Sequence, residues 1–373
     1  MRIVHTEASL GWGGQEMRIL LESCLLAGRG HQVTLVCQPQ SNLAARGKAA
    51  GLPVVTMPMP KSFDPLSLTR LIRLFRRLRP DVLVTHSSRD GWLGGMAGRL
   101  AGVGAIVRVR HVSTPVSGGW MSRALYTRLA DMLVTTGESL RATLAAQMGL
   151  PEQRTASVPT GVDMSVFRPP GAPERAQSRA RFGWADGCPV VGKAAVLRGW
   201  KGYHHFIDAA ALVSRRHPEV QFLAAGGGDF SRRRQQVSSL GLQQVFTFAG
   251  HREDMPQVLG ALDIVVQAST GGEGVPQALM QALAVGRPVV ATAVGSVGEL
   301  VRHGETGLLV PPGDSAAMAE AVVTLIEQPA LARRLAQNGR RLVESEYSAE
   351  LMADHMEAVL ARAIAIRGSR DRD

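Results

Sequence analysis

Cysteine is scarce: Cys24, Cys37 and Cys188 are the only three in 373 residues, and no two form a CxxC pair. An odd, scattered set excludes a disulfide framework or a cysteine zinc site and reads as reduced thiols. Aromatic residues make up 5% of the chain, too few for a surface that stacks bases. Nowhere do 18 apolar residues run without a charge, so no membrane-spanning helix is expected. The opening residues, MRIVHTE, are too short and too polar for a secretory signal. HExxH is absent, and the one DxD, Asp371-Arg372-Asp373, ends a charged tail, so no metal site is expected. Acidic residues are also in deficit, 31 against 42 Lys and Arg, for a net charge of +11. The imbalance is local. Residues 1–165 carry 19 basic and 10 acidic residues, residues 166–373 carry 23 and 21. A basic first half suits a phosphorylated substrate, an anionic membrane or nucleic acid.

What the chain does have is 45% hydrophobic residues, enough for a normal core, and 41 glycines, well above the average near 7%. Its length suggests two domains. Short apolar runs alternate with amphipathic stretches: strands are expected at 2–6, 32–37, 81–85, 105–110 and 131–135. After a Pro/Gly-rich break at Phe167–Pro173 they resume at 189–197, 220–225, 245–249, 262–267, 287–291 and 307–310. Strands interleaved with helices imply right-handed βαβ units and parallel sheets. The expected architecture is therefore α/β, with two doubly wound Rossmann-like domains, 1–168 and 169–347, facing across a cleft. A last helix at about 348–366 would cross back to the first domain, and 367–373 would fray. Ligands of open α/β sheets bind at the C-terminal ends of the strands.

Two glycine patterns are decoys. Gly187–Lys193 has P-loop spacing, but Ala194 replaces the metal-binding hydroxyl and the segment runs into a strand. Gly11-Trp12-Gly13-Gly14-Gln15-Glu16 starts as GxGxxG and ends on glutamate. The informative segment is 273–286, EGVPQALMQALAVG, after the strand Ile264–Gln267. A glycine turn opening a helix at a parallel strand's end is an anion-binding geometry, with the helix N-terminus expected near Gly274 and Val275. Glu273 and Gln281 lie eight residues apart, about two turns, and would line one cleft. Arg198 and Lys201 occupy the loop after another strand, where cations meet a diphosphate. His111 ends the strand 107–110 and His86 ends 82–85, the latter expected on the acceptor side. Residues 66–79 carry an apolar stripe, Leu68, Leu71, Ile72 and Phe75, flanked by Arg70, Arg73, Arg76, Arg77 and Arg79. That is a packed helix with a basic face, or an electrostatic seat on anionic lipid.

In order along the chain, several motifs resemble a family 4 (group 1) retaining glycosyltransferase of the GT-B fold. They are Pro159–Asp163 with Phe167-Arg168-Pro169, Arg198 with Lys201-Gly202, Gly226–Gly228, Phe248–Gly250, Glu273 heading an E-x7-E, Pro288–Thr292 and Gly304–Val310. The first half matches more weakly, through Gly13–Glu16 and Arg110-His111. One departure is clear: Gln281 stands where the motif has its second glutamate, the acceptor for ribose hydroxyls, and keeps a carbonyl oxygen without the charge. The resemblance implies Glu273 on the donor sugar, Gly13 and Gly14 giving close backbone approach, and His111 on the sugar or reacting hydroxyl. It leaves Glu16, His86 and Arg110 on the acceptor side.

The expected activity is transfer of a sugar from a nucleotide diphosphate donor to a hydroxyl of a glycolipid or glycan acceptor in bacterial envelope synthesis. No cofactor, metal or nucleic acid is expected. The expected place is the cytoplasm, peripheral on the inner face of the cell membrane through 66–79. Two alternatives use the same residues: a sugar-nucleotide epimerase or hydrolase, and a catalytically silent membrane-surface binding protein.

Overall fold

The computed structural model describes residues 1–111, 116, 119–185 and 187–370. The chain divides into two compact units, Met1–Gly161 with Ala349–Asp373, and Val162–Ser348.

The first unit is a seven-stranded parallel sheet. Its strands are β1 (Arg2–Glu7), β2 (Gln32–Cys37), β3 (Val54–Thr56), β4 (Val82–Thr85), β5 (Ala105–Arg110), β6 (Met132–Thr135) and β7 (Thr155–Ser157), in the order β3-β2-β1-β4-β5-β6-β7. Successive side chains leave a strand on opposite faces, and both faces are covered. Ile3, Val84, Val107 and Val134 pack with Leu26, Met352, Met356 and Leu360. Val4, Leu83 and Ile106 pack the other way, with Leu71, Phe75 and Leu93. The sequence pattern missed β3 and β7. Both are three-residue strands at the sheet edges, too short to leave a periodic signal.

The second unit is a six-stranded parallel sheet of β8 (Val190–Ala194), β9 (Gln221–Ala225), β10 (Phe246–Gly250), β11 (Ile264–Gln267), β12 (Val289–Thr292) and β13 (Leu308–Val310), in the order β10-β9-β8-β11-β12-β13. The alternation recurs. Val191, Phe222, Val266 and Val290 face Phe206, Ile207 and Val322, while Val190, Leu223, Val265 and Val289 face Leu259, Leu279 and Leu283. Each sheet is therefore doubly wound, and its strand order reverses between β1 and β4, or between β8 and β11.

The first unit ends at Gly161, ahead of the break expected at 168. The reason is packing. Val162 is buried in the second unit's core with Met164 and Phe167 against it, and its backbone pairs with Ser348. The last helix, Ala349–Arg370, belongs to the first unit and buries Met352, Met356, Val359, Leu360 and Ala363 there. It outlasts the expected end at 366, so residues 367–370 are helical and not frayed. The DxD at 371–373 lies outside the described residues. The decoy lysine, Lys193, is on β8 and buried, so Gly187–Lys193 cannot cradle a phosphate as a P-loop does.

The basic segment is a helix, Pro65–Leu78, capped by Asp64, whose carboxylate accepts the Ser67 N–H at 2.7 Å. Its stripe packs as expected, with Leu74 added, and all five arginines from Arg70 to Arg79 are exposed.

Candidate functional site

In the second unit, the two loops at the β8/β11 switch point hold a connected polar cluster. Arg198 caps the short turn Gly199–Lys201, and Ser269 to Glu273 follow β11. The loops are joined by the Thr270 N–H, which donates to the Trp200 carbonyl at 2.8 Å. Lys201 Nζ donates to Glu273 Oε1 at 2.7 Å. Ser269 Oγ donates to the same oxygen at 2.5 Å, and Gln267 Nε2 approaches it at 3.4 Å. Gln267 is itself held by Thr292, whose hydroxyl donates to Gln267 Oε1 at 2.9 Å. All three donors act on Oε1. Glu273 is thus fixed as a buried carboxylate whose Oε2 carries none of these bonds.

Arg198 is exposed, with its guanidinium 5.7 Å from the centre of the Trp200 ring. Beneath the loops, Lys193 lies 5.1 Å from the Tyr203 ring. Burial pushes its amine down to about 7; Lys201 pushes the same way and Glu273 opposes. Composition and motif spacing pointed to Arg198, Lys201 and Glu273, and the fold brings them to adjacent loops. They did not point to Gln267 or Ser269, which sit on or just after a strand, and they gave Lys193 and Thr292 no part in this cluster.

The helix after this loop starts later than expected. It runs Gln277–Ala284 with Pro276 as its cap, so Gly274 and Val275 are buried in the lead-in turn. Proline cannot continue the preceding backbone as helix, and only Gln281 of the pair Glu273 and Gln281 is helical. Both side chains are nevertheless buried.

The first unit has its own cluster at the β1/β4 switch point. Gly13 and Gly14 open the helix Gly14–Gly28. Glu16 accepts the Gly13 N–H at 2.9 Å, so its carboxylate closes the turn at the helix start. Gly13 has extended backbone, and a side chain there would meet Glu16 at only ordinary contact distance. Glu7, at the end of β1, accepts from the Ser9 N–H at 2.7 Å and from Gln15. Burial, with Asp90 and then Glu16 beside it, pushes its carboxyl up to about 8 against those hydrogen bonds. Asp90 caps the helix Ser88–Ala101 through the N–H groups of His86 and Ser87, both at 2.7 Å, and also receives the Thr6 hydroxyl at 3.0 Å.

His86 does not line the acceptor side. It is buried, with one ring nitrogen 3.0 Å from His5 and the other 3.0 Å from His111. His111 is half-buried. Arg110 is half-buried as well; burial lowers its pKa and Tyr126 counters that as a hydrogen-bond partner. Among the described residues no group of three His, Cys, Asp or Glu side chains is placed to hold a metal, and no helix is long and apolar enough to cross a membrane.

Residues 12–166 match the family model of glycosyltransferase family 4, and residues 174–342 match that of glycosyl transferases group 1. The chain belongs to the family 4 glycosyltransferases. Anabaena HepE, solved in complex with UDP-glucose, superposes with a TM-score of 0.87 at 23% identity, over 97% of this chain and 99% of that one. That likeness establishes the GT-B fold. The glycosyltransferase is also 25% identical to the alpha-D-kanosaminyltransferase of Streptomyces kanamyceticus, over 92% of this chain and 97% of that protein. It is 27% identical to the phosphatidyl-myo-inositol mannosyltransferase of Mycobacterium leprae, over 96% and 95%. The enzyme class expected from the motifs therefore holds.

Proposed function

We propose that this glycosyltransferase moves a sugar, with retention, from a nucleotide diphosphate donor to a hydroxyl of a glycolipid or glycan acceptor in envelope synthesis. The observation that carries this reading is the Lys201–Glu273 cluster at the β8/β11 switch point. Losing a diphosphate leaves negative charge at the leaving group while the anomeric carbon becomes cationic. Lys201 and Arg198 stabilise the departing charge. Glu273, fixed through Oε1, offers Oε2 to donor sugar hydroxyls, and Gln281 accepts from the ribose. Gly13 and Gly14 leave the backbone open to the substrate, and His111 meets the sugar or the reacting hydroxyl. HepE's UDP-glucose and the mannosyltransferase's phosphatidyl-myo-inositol are the substrate types that support donor and acceptor.

Because protein cations take the diphosphate charge, no metal is required. Incubation with UDP-, GDP- and ADP-sugars is expected to release nucleoside diphosphate from one of them faster when a glycolipid acceptor is present, at a rate unchanged by EDTA. Release equally fast without acceptor would indicate a hydrolase; loss of rate on chelation, restored by manganese, would reveal a metal site.

The enzyme works in the cytoplasm, on the inner face of the membrane. Supporting this are the exposed arginines of the helix 65–78 and, at its start, Phe63 and Leu66, 53% and 58% exposed. Each arginine near an anionic surface contributes at most about 1 kcal/mol. The chain is expected to sediment with phosphatidylglycerol-containing vesicles at low salt and not with phosphatidylcholine alone. Changing Arg73, Arg76 and Arg77 together to Gln should weaken that binding and leave donor affinity unchanged. Equal sedimentation of both proteins would assign the helix to packing only.

A further inference from the structure

Three histidines form a hydrogen-bonded row across adjacent strands of the first unit. His5 lies on β1, and His86 and His111 directly follow β4 and β5. Val84 is level with His5 in the sheet, and Val107 is level with Val84. His86 therefore stands two residues, and His111 four residues, further toward the C-terminal edge. Steps of two keep a side chain on the same face of a sheet. The rings climb as a diagonal stair, with centroids 5.3 and 5.2 Å apart. His5 Nδ1 meets His86 Nε2 at 3.0 Å, and His86 Nδ1 meets His111 Nε2 at 3.0 Å. The stair runs from rings 1% and 2% exposed to the half-buried His111.

A neutral imidazole has one N–H and one lone pair. In such a row the orientation of one ring sets all the others. The inner end supplies that orientation. His5 Nε2 faces Glu22 Oε1 at 4.0 Å, too far for a hydrogen bond, and neither buried atom has a hydrogen-bond partner. Glu22 Oε2 accepts from Arg18 Nε at 3.3 Å. Burial pushes the Glu22 carboxyl up, and the Arg18 guanidinium, which does not deprotonate in proteins, opposes this through its charge and its hydrogen bond; paired in this way Glu22 is taken as the carboxylate, which cannot donate. A lone pair on His5 Nε2 would face carboxylate oxygen and be repelled; an N–H there is attracted. His5 is thus the Nε2–H form. His86 must then donate from Nε2 to His5 Nδ1, and His111 from Nε2 to His86 Nδ1. The lone pair of His111 is left on Nδ1.

We infer that His5 and His86 are positioning residues that hold His111 in the Nε2–H form, so that its Nδ1 accepts a hydrogen bond from a substrate hydroxyl. The inference rests on the reading that His111 meets the substrate. The row stays neutral at pH 7. Burial, with Arg18 adding to it, pushes His5 down to about 3; burial with His111, His5, Arg18 and Arg108 holds His86 well below the usual range, and burial with Arg18, Arg108 and Arg110 does the same for His111. An imidazolium has no acceptor, so protonating His5 or His86 would break the row, and protonating His111 would remove the acceptor it offers at Nδ1.

Long-range ¹H–¹⁵N spectra of the full chain labelled with [¹⁵N]histidine distinguish the two neutral forms. At pH 7 the expected result is Nε2–H for His5, His86 and His111, assigned by single substitutions. A His111 that carries its proton on Nδ1 overturns the inference, and this wild-type spectrum decides even where a variant fails to fold. His86→Leu, which cuts the row, should release a fraction of His111 into the Nδ1–H form and lower kcat about tenfold with donor KM unchanged. His86→Gln, which keeps one donor and one acceptor, should recover most of that loss. An unchanged His111 form in His86→Leu also overturns it. If the wild-type forms are as inferred and His111→Ala keeps full turnover, the row stands and the substrate role of His111 falls.

Discussion

Replacing Lys201 by alanine is expected to lower turnover at least about a hundredfold, equivalent to ~2.7 kcal/mol of transition-state stabilisation. The ammonium is half-buried and pinned at 2.7 Å to Glu273, so its position is set before any ligand arrives. Such preorganised charge costs little reorganisation during reaction. Alanine also leaves Glu273 with only the Ser269 and Gln267 donors on Oε1. One compensation limits the deficit. Lys201 helps to push the Lys193 amine down, so without it Lys193 protonates more readily and returns some positive charge below the loop. Arg198→Ala should act similarly, since its exposed guanidinium is free to meet the leaving group. The measurement is initial rate at saturating donor with each variant, alongside circular dichroism. Turnover within threefold of wild type for both variants would remove the diphosphate role from this loop.

The two halves differ in how far they could be read from sequence. In the second unit Arg198, Lys201 and Glu273 follow strands that stand side by side, and each lies in a loop marked by glycine. Local pattern and strand order therefore lead to the same cluster. Gln267 was hidden, and the part that Lys193 and Thr292 take in the cluster was not legible, because these are polar residues at strand positions otherwise apolar. In the first unit the decisive contacts join positions 5, 86 and 111, brought together by the crossover that places β1 beside β4 and β4 beside β5. Nothing local at His5 announces this. Its strand reads as an ordinary buried one, and the ion pair of Arg18 with Glu22 reads as two polar residues of an amphipathic helix. A usable signal existed: in a doubly wound sheet the first and fourth strands are neighbours, so chemistry-bearing residues at their ends meet. His86 is expected on the acceptor side because spacing shows which end of a strand a residue follows, not whether neighbours such as His5 and His111 already hold it. The start of the helix at Gln277 was misplaced for a related reason. Glycine and proline mark a turn clearly, but the residue on which the turn becomes helix depends on backbone geometry that Pro276 restricts.

The glycine that follows Lys201 carries the second large effect. Gly202 has φ +64°, the left-handed region, where a side chain costs about 1–2 kcal/mol. A Cβ there would also lie 1.7 Å from the Ala268 carbonyl oxygen and 2.7 Å from its carbon. Backbone atoms cannot rotate aside as a side chain would, so the β11 loop must move. That loop continues into Ser269 and Thr270, and Thr270 is tied to Trp200 across the same gap. Gly202 is thus the point where the Lys201 loop and the Glu273 loop touch. Gly202→Ala is expected to destabilise the fold by roughly 3 kcal/mol or more, a fall in Tm of about 6–12 °C for a unit of this size. It should also cost at least about tenfold in turnover at temperatures where the variant stays folded, because small displacements of catalytic groups are expensive. Gly271→Ala is the matched control. It lies in the same β11 loop, its backbone is not left-handed, and nothing stands within 4 Å of an added Cβ. It should remain within about 0.5 kcal/mol of wild type. Thermal unfolding of both variants, with initial rates, separates the cases. A Gly202→Ala protein as stable as Gly271→Ala would mean that the two loops are not in the close contact on which the Lys201–Glu273 geometry depends.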